Sequence, residues 1–223
     1  MFIFEDEKIA HQLSRVLRIQ KGEKIVFFNG SGFDFVMRVD KLSPRFVSGK
    51  IVGAEKNAKD PEIEVHLYQS FLRKEKFEWV LEKGTELGVK FFHPVIAERS
   101  VKVTLNMARC RSIVKEATEQ SEQDRVPQIC EAVKFLDAVK EADGNAINVL
   151  CDPGGKSFDT GMLKRARKIG ERINLFVGPA NGFTEREIGE AKIRECAVLS
   201  LGPRILRAET AAILVSGFLL LDA

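Results

Sequence analysis

Apolar and polar residues follow two different periods over the first quarter of the chain. From Glu5 to Arg18 the apolar residues Ile9, Leu13, Val16 and Leu17 recur every three or four positions, which predicts an amphipathic helix. The runs KIVFF, FDFVMRV and RFVSGKIV then alternate with a period of two and are separated by NGSG and DKLSP, which predicts three strands joined by tight turns. A small β-rich module is therefore expected. The polar face of its helix carries His11, Arg15 and Arg18.

The pattern changes after the polar segment AEKNAKDP, where the sequence predicts a domain boundary. Beyond it, short apolar runs alternate with longer segments of helical period, such as IEVHLYQ followed by KFEWVLEKGTELG. This alternation predicts an α/β domain with a mostly parallel sheet and helices on both faces. Thr184 with Glu187 predicts a capping box at the start of one helix, and Gly88 predicts the end of another. We expect two domains, residues 1–60 and 61–223.

Composition and charge are typical of a soluble globular protein. Of the 223 residues, 44% are hydrophobic and 30% are charged, which argues against a disordered chain. The net charge of +3 is uneven, because residues 1–60 hold eleven Lys and Arg against eight Asp and Glu, whereas the remainder holds twenty-four of each. A basic module on a neutral body favours binding to a polyanion, since phosphate contacts supply most of the non-specific affinity for nucleic acids.

Neither a disulfide framework nor a metal site is expected. Cys110, Cys130, Cys151 and Cys196 lie far apart without a C-x-x-C motif, and the three histidines lack the spacing of metal ligands. Such thiols indicate a reducing, cytoplasmic setting. The start MFIFEDEK lacks the basic flank and apolar core of a signal peptide, and the longest apolar run, Ala211 to Leu221, is too short to span a bilayer. We therefore expect no membrane association.

Two strands of the second domain end in glycine-containing loops. One reads INLFVGPANGF, from Ile173 to Phe183, and the other reads AVLSLGPRIL, from Ala197 to Leu206. In open α/β sheets ligands bind beyond the carboxyl ends of the strands, and glycine lets the backbone approach them. A single Gly-Pro loop would be interpreted as a turn. Two such loops on successive strands indicate a shared pocket.

Other nucleotide-binding and catalytic motifs do not occur in the sequence. CDPGGKS, from Cys151 to Ser157, lacks the first glycine of G-x-x-x-x-G-K-[ST], because Leu150 stands there, and it is interpreted as a plain loop. No G-x-G-x-x-G follows a strand, which disfavours a Rossmann nucleotide site. No G-x-S-x-G occurs, which disfavours a serine hydrolase.

The segment LGPRILRAETAA, preceded by FVGPANGFTEREI, resembles the bacterial 16S rRNA (uracil-N3)-methyltransferases of the SPOUT superfamily. The resemblance extends in order through RVLRIQKGE, EKGTELGV, PVIAERS and EQSEQDRVP. It implies a PUA-like β-barrel that binds RNA over residues 1–60, followed by a SPOUT α/β domain over residues 61–223 with a C-terminal trefoil knot. It also implies S-adenosylmethionine as the cofactor, 16S rRNA or the small ribosomal subunit as the substrate, and a homodimer with its active sites at the subunit interface.

The resemblance also implies which residues hold the cofactor, once the family's positions are carried onto this sequence. The first loop would contribute Val177, Gly178, Pro179, Asn181 and Gly182. The second would contribute Leu199, Leu201, Gly202, Ile205, Leu206 and Thr210.

The sequence departs from the family's usual pattern in three places. Ala180 and Asn181 stand where G-P-E-G-G has its glutamate and middle glycine. Glu122 and Gln123 stand where E-Q-S/C-G-R has its last two residues, and Arg125 is the candidate replacement for the lost arginine. The start MFIF also lacks an arginine that commonly precedes the first aromatic residues. These departures concern RNA docking more than the cofactor pocket.

Two alternative functions remain open at this point. A related SPOUT enzyme acting on tRNA would share the knot, but the RVLR motif and the N-terminal module favour the rRNA enzyme. A catalytically inactive RNA-binding homologue would keep the fold without turnover, and the three departures leave this alternative open. The candidate RNA contacts are Arg15, Arg18 and Arg125.

Arg207 is the candidate catalytic residue. Methylation of uracil at N3 requires loss of the N3 proton, and the resulting negative charge spreads onto the flanking carbonyl oxygens. A fixed guanidinium stabilises such an anion, and one well-placed donor contributes roughly 3 to 4 kcal/mol in comparable sites. Glu209 is expected either to orient Arg207 or to relay the proton, with a carboxylate favoured by the helix dipole as the structural alternative.

Overall fold

The computed structural model describes residues 2–57, 61, 63–142, 146–158, 161 and 172–221. The chain forms two compact units. Unit 1 comprises Met1–Asp60 together with Gln123–Arg125, and unit 2 comprises Pro61–Glu122 and Val126–Ala223. No helix in the described part of the chain is long and apolar enough to cross a membrane.

Unit 1 is built on a four-stranded antiparallel sheet. Its elements are β1 (Phe2–Phe4), α1 (Glu7–His11), β2 (Lys24–Phe28), β3 (Phe33–Leu42) and β4 (Val47–Lys56), and the strands lie in the order β1-β4-β3-β2. The three predicted strands are confirmed as β2, β3 and β4. No pattern predicts β1, because three residues are too few to display a period. The core of the unit forms around Met37, Val39 and Val47, which are fully buried.

The N-terminal helix departs from its prediction in its second half. From Gln12 to Val16 it continues as a π-helical turn, in which the N–H of Leu17 donates to the carbonyl oxygen of Gln12 at 2.9 Å. Arg18 then adopts a left-handed φ of 53°. The prediction of one amphipathic helix up to Arg18 is therefore wrong. Val16 and Leu17, expected on its apolar face, are exposed, and Arg15 and Arg18 do not share a helical face.

Unit 2 contains a seven-stranded sheet whose strands pair in parallel, which confirms the predicted parallel sheet. Its strands are numbered β5 to β11 along the chain. Side by side in the sheet they lie in the order β11-β9-β10-β5-β6-β7, and β8 also pairs with β6. The two shortest strands, β7 and β8, have two residues each and are not predicted from the sequence. The strands are β5 (Glu64–Ser70), β6 (Phe91–Ile96), β7 (Gln128–Ile129), β8 (Val133–Lys134), β9 (Ile147–Ser157), β10 (Arg172–Val177) and β11 (Ala197–Ser200).

Strand β9 runs through CDPGGKS, so the interpretation of this segment as a plain loop is wrong. Both ends of β9 pair with β11: Val149 and Leu150 lie beside Ala197 and Val198, and Lys156 and Ser157 lie beside Leu199 and Ser200. The register shifts between Val198 and Leu199, so residues 151–155 of β9 have no register partner in β11. Gly155 lets the two strands approach each other, because a Cβ there would lie 2.7 Å from the backbone of Leu199.

Helices cover both faces of the sheet, as predicted. Along β10, Ile173 and Leu175 pack on one face with the helices that begin at Lys74, Met107 and Ala208, whereas Phe176 packs on the other face with those that begin at Phe135 and Glu185. The capping box of Thr184 and Glu187 and the left-handed Gly88, at φ 98°, are also confirmed. No pattern predicts α4. Within the described residues, the helices of this unit are α2 (Lys74–Leu87), α3 (Met107–Ser121), α4 (Phe135–Glu141), α5 (Glu185–Ile193) and α6 (Ala208–Leu220).

Candidate active site

A cavity of about 500 Å³ opens in unit 2 where β10 and β11 end, beside the middle of β9. This is the edge at which open parallel sheets bind ligands, and the volume lies in the ordinary range of small-molecule sites. Its walls come mainly from the loops that follow β10 and β11 and from the first turn of α6. The fold therefore brings the two glycine-containing loops together around one space.

Most of the residues expected to hold the cofactor line this cavity. Three of them do not. Leu199 is buried in the core at 5% exposure, while Gly202 and Thr210 are exposed and lie outside the lining. The residues in the lining are Val177, Gly178, Pro179, Asn181 and Gly182 from the first loop and Leu201, Ile205 and Leu206 from the second.

Two glycines give these loops their shape. Gly182 has a φ of +67° and closes a tight turn in which its N–H donates to the carbonyl oxygen of Pro179 at 2.9 Å. Gly202 has a φ of +118° and accepts a hydrogen bond on its carbonyl from the Ser200 hydroxyl at 3.1 Å. A Cβ at either glycine would meet no other group within 4 Å. The backbone conformation, rather than crowding, therefore requires glycine at both positions.

The side chain of Arg99, which lies after β6, holds the first loop by hydrogen bonds. Its Nη1 donates to the carbonyl oxygens of Asn181, at 3.1 Å, and Phe183, at 3.3 Å, and Arg99 itself lines the cavity. No motif of the sequence assigns it a role, although it lies in the segment PVIAERS that contributes to the family resemblance.

Glu187 ties the start of α5, which directly follows the first loop, to the segment after β6, and its carboxylate is almost completely buried at 1% exposure. Oε2 accepts from the backbone N–H of Thr184 at 2.9 Å, which is the capping-box bond, while Oε1 accepts from the backbone N–H of Glu98 at 2.9 Å. A buried carboxylate is stable only when such donors replace water. The glutamate that begins α5 thus also fixes the segment after β6.

The cavity lining contains charges of both signs. Arg99 and Arg204 supply two cations, and Asp152 supplies a carboxylate whose Oδ1 accepts from the N–H of Gly154 at 2.8 Å. The sequence does not identify Asp152, because it lies in the strand that the pattern presents as a loop. Cys151 also lines the cavity, but burial raises its pKa to about 12, so its thiol is neutral and a poor nucleophile.

Arg207, the candidate catalytic residue, is the N-cap of α6 and is exposed. Its carbonyl oxygen accepts from the N–H of Ala211 at 2.8 Å, which fixes its backbone at the helix start. It lies outside the lining but directly between two residues that belong to it, Leu206 and Ala208. Its side chain is therefore attached at the rim of the cavity.

Glu209, the second candidate, is buried at 6% exposure and forms an ion pair with Lys76 of α2, with Oε1 3.0 Å from Nζ. Burial acts to raise the pKa of Glu209. The hydrogen bond from Lys76, a backbone N–H and the charges of Lys76 and Arg207 outweigh it, so that the pKa lies below its usual value. The carboxylate is therefore ionised at neutral pH.

The candidate RNA contacts are all exposed and all belong to unit 1. Arg15 lines an open groove of about 670 Å³ together with Lys21 and Lys41. Arg18 and Arg125 lie outside the lining of this groove. Lys41 lies on β3 and comes beside Arg15 only through the fold, whereas Lys21 follows Arg15 by six residues.

A pair of histidines lies on β5 and β6, and neither lines the cavity. His66 Nδ1 is 3.1 Å from His93 Nε2, and the His93 ring stacks on Tyr68 with 4.1 Å between ring centroids. Burial, reinforced by the charges of His66 and Arg172, lowers the pKa of His93 to about 4. Within the described ranges, no group of three or more His, Cys, Asp or Glu side chains is arranged to hold a metal ion.

A family model described as an RNA methyltransferase domain matches residues 59–220. The matched region contains the whole seven-stranded sheet, both loops and every residue of the cavity lining.

Curated proteins match over the greater part of the chain. The chain is 28% identical over 212 residues to the ribosomal RNA small subunit methyltransferase E of Bacillus subtilis, covering 91% of this chain and 83% of that protein. It is 31% identical over 204 residues to the protein of the same name from Synechocystis, covering 90% of this chain and 67% of that protein.

Solved structures match over nearly the full length of the chain. A ribosomal RNA small subunit methyltransferase E from Neisseria gonorrhoeae, bound to S-adenosyl methionine, is 27% identical with a TM-score of 0.86, covering 96% of this chain and 89% of that one. A putative methyltransferase from Legionella pneumophila, in complex with the bound cofactor SAM, is 27% identical with a TM-score of 0.85, covering 99% and 92%.

Proposed function

This chain belongs to the family of RNA methyltransferases whose curated members are named ribosomal RNA small subunit methyltransferase E, and on that premise we propose that it methylates N3 of a uracil in 16S rRNA with S-adenosylmethionine. As a member of this family the chain is a methyltransferase. The observation that carries the proposal is the cavity lined by both glycine-containing loops. The choice of uracil N3 rests on the resemblance of LGPRILRAETAA to enzymes of that specificity.

The residues present fit S-adenosylmethionine. Apolar side chains such as Val177, Leu201 and Leu206 provide walls for an adenine ring, and the loop backbones provide donors and acceptors for its edge. Arg99 and Arg204 suit the carboxylate of the cofactor, and Asp152 suits a cationic group. When bound, the cofactor supplies a methyl group on a positively charged sulfonium, which makes that carbon an electrophile.

Arg207 would act on the uracil. As the N3 proton leaves, the flanking carbonyl oxygens of the base become negative, and a guanidinium at the rim of the cavity donates hydrogen bonds to them. The exposed position of Arg207 at the N-cap of α6 supports this role, because the side chain is free to meet a substrate. Glu209 would orient the arginine or relay the proton.

Unit 1 would bind RNA as a PUA-like domain. Arg15, Lys21 and Lys41 around the groove support this role, and Arg18 and Arg125 would add phosphate contacts outside it.

If Arg15 and Lys41 each contact a phosphate, the double alanine change should flatten the salt dependence of binding by about two units of slope. Alanine at Arg45, which lies 3.7 Å from Glu7, is the control.

The chain would act as a homodimer with a C-terminal trefoil knot. Leu214 and Phe218 of helix α6, and Leu221 directly after it, are at least one-third exposed, and a two-fold interface would cover them. The knot is supported by the position of β11 across β9 from β10, with α6 returning to pack against α2. Sedimentation at micromolar concentration tests the dimer, and a crystal structure tests the knot. We place the enzyme in the cytoplasm.

One experiment tests the reaction itself. Mass mapping of small-subunit rRNA from cells that lack the gene should reveal a missing 3-methyluridine, which the wild-type gene restores. A methyl group lost from tRNA instead would indicate the related tRNA enzyme. Unchanged rRNA and tRNA, with RNA binding retained, would indicate an inactive homologue.

A further inference from the structure

The ion pair between Lys76 and Glu209 joins the first turn of α2 to the first turn of α6. Its two members differ in exposure, because the side chain of Glu209 is 8% exposed and that of Lys76 is 39% exposed. Lys76 is also held by Trp79, with Nζ 5.4 Å from the ring centroid, which is a cation–π distance. The pair therefore consists of a buried carboxylate and a cation that is fixed in place but still reached by water.

The turn that carries Glu209 also forms part of the active site. Ala208 and Ala211 of the same turn line the cavity, and Arg207 is the N-cap that precedes it. Because Glu209 is directed away from the cavity into contact with α2, the ion pair fixes this turn from behind. A movement of the turn would displace both the cavity wall and the base of the Arg207 side chain.

The state of Glu209 fits an anchor better than a proton carrier. Its pKa lies below the usual value, and Lys76 already occupies Oε1. A general base is most effective when its pKa lies near the working pH, which an ionised, paired carboxylate does not satisfy.

We propose that Lys76 is a positioning residue for methyl transfer. By holding the ionised Glu209, it fixes the first turn of α6 so that Arg207 and the cavity wall keep their working geometry. The inference rests on the proposed function and gives Glu209 the orienting role of the two considered for it. Lys74 offers a matched control, because it lies in the same turn of α2 but forms its ion pair with Glu78 of its own helix, at 3.9 Å.

The test compares Lys76→Met, Glu209→Gln, the double variant and Lys74→Met. Removal of Lys76 leaves a buried charge without its partner, whereas removal of the Glu209 charge leaves a cation that water solvates. Lys76→Met should therefore weaken S-adenosylhomocysteine binding and lower the single-turnover rate, each by roughly five- to tenfold, as expected for coupled neighbours. Glu209→Gln should have a smaller effect, and the double variant should match Glu209→Gln. Lys74→Met should leave both quantities unchanged.

A proton relay predicts the opposite ranking. Glu209→Gln and the double variant would then lose nearly all turnover at normal cofactor affinity, while Lys76→Met would retain it, and this result would overturn the inference. Equal behaviour of Lys76→Met and Lys74→Met would overturn it as well.

Thermal unfolding provides a readout that does not depend on catalysis. Without Lys76, burial raises the pKa of Glu209 relative to wild type, so its carboxylate should take up a proton at a higher pH and the deficit in Tm relative to wild type should shrink as the pH falls below neutral. A pH-independent deficit would contradict the ion pair. Wild-type protein that neither binds S-adenosylhomocysteine nor methylates rRNA would refute the proposed function, whereas the ranking of Tm values would still decide on the ion pair.

Discussion

Arg99 donates from Nη1 to the carbonyl oxygen of Asn181 over 3.1 Å and so ties the segment after β6 to the loop that forms one wall of the cavity. The same nitrogen reaches the carbonyl oxygen of Phe183 at 3.3 Å. Both acceptors are backbone atoms of a loop whose turn depends on a glycine at positive φ. The shape of this loop is therefore maintained by a side chain from a different part of the sheet edge.

Arg99→Ala should weaken S-adenosylhomocysteine binding by roughly tenfold, because two hydrogen bonds from a charged donor to the loop are lost. Arg99→Lys should restore the affinity only in part, since an ammonium lacks the planar fork of a guanidinium. Isothermal titration calorimetry measures both.

Arg186→Ala is the control for Arg99. Arg186 is exposed and pairs with Glu98 at 3.0 Å, but it does not line the cavity. Its removal should leave the affinity unchanged. Equal losses for Arg99→Ala and Arg186→Ala would indicate a general effect on this region rather than a specific tie on the loop.

Gly182→Ala and Gly189→Ala should shift stability in opposite directions. A Cβ at either position meets no group within 4 Å, so steric clash does not enter. Gly182 has a φ of +67°, where a side chain costs about 1 kcal/mol, and its substitution should lower stability. Gly189 lies within α5, where alanine is favoured by roughly 0.5 to 1 kcal/mol, and its substitution should raise stability. Urea unfolding measures both, and a shared sign would contradict the loop conformation.

The local features of the fold follow from the sequence because short-range physics determines them. Periods of two predict β2 to β4, and Thr184 with Glu187 predicts the start of α5, since the capping box involves only four consecutive residues. Strand β9 is different. Asp152, Pro153 and Gly154 have the local preference of a turn, yet they lie within a strand whose two ends are held by contact with β11. That contact joins residues more than forty positions apart, so no window of sequence displays it.

The same distinction separates the predicted parts of the site from the missed ones. The two loops are recognisable because their glycines and their place after strands are local features. Arg99 and Asp152 reach the cavity, and Lys76 reaches Glu209, only through the tertiary fold, and each looks like an ordinary surface charge in the sequence. Leu199 shows the reverse case. The family resemblance of the second loop predicts that it contacts the cofactor, but its side chain faces the core.

The stability of the protein should fall as the pH is lowered from about 6.5 toward 4. His93 has its pKa lowered from 6.5 to about 4, chiefly by burial, so within this range the unfolded chain binds a proton that the folded chain excludes. The stabilisation is complete above the unfolded value and is lost as the pH falls. His93→Phe, which preserves a ring against Tyr68, should reduce this pH dependence. Urea midpoints measured at several pH values test it, and an identical profile in the variant would contradict the assignment.

Arg207 is exposed at the N-cap of α6, between two residues that line the cavity. If its guanidinium stabilises the developing uracil anion, Arg207→Ala should lower the methylation rate by roughly a hundredfold or more, while the affinity for S-adenosylmethionine changes little. The affinity should persist because Arg207 lies outside the cavity lining. Arg207→Lys should rescue only part of the rate.

Arg204→Ala is the informative comparison, because Arg204 follows the same Gly-Pro turn but does line the cavity, so its loss should act on cofactor affinity instead.

The gap in rate between Arg207→Ala and wild type should narrow as the pH rises, because more uracil N3 is then already ionised and needs less stabilisation by the cation. An arginine that only maintained the fold would, when removed, lower thermal stability and cofactor binding together, with a loss of rate that does not depend on pH. Single-turnover rates across pH, measured with cofactor affinity, decide between these roles, and a pH-independent loss would refute the catalytic one.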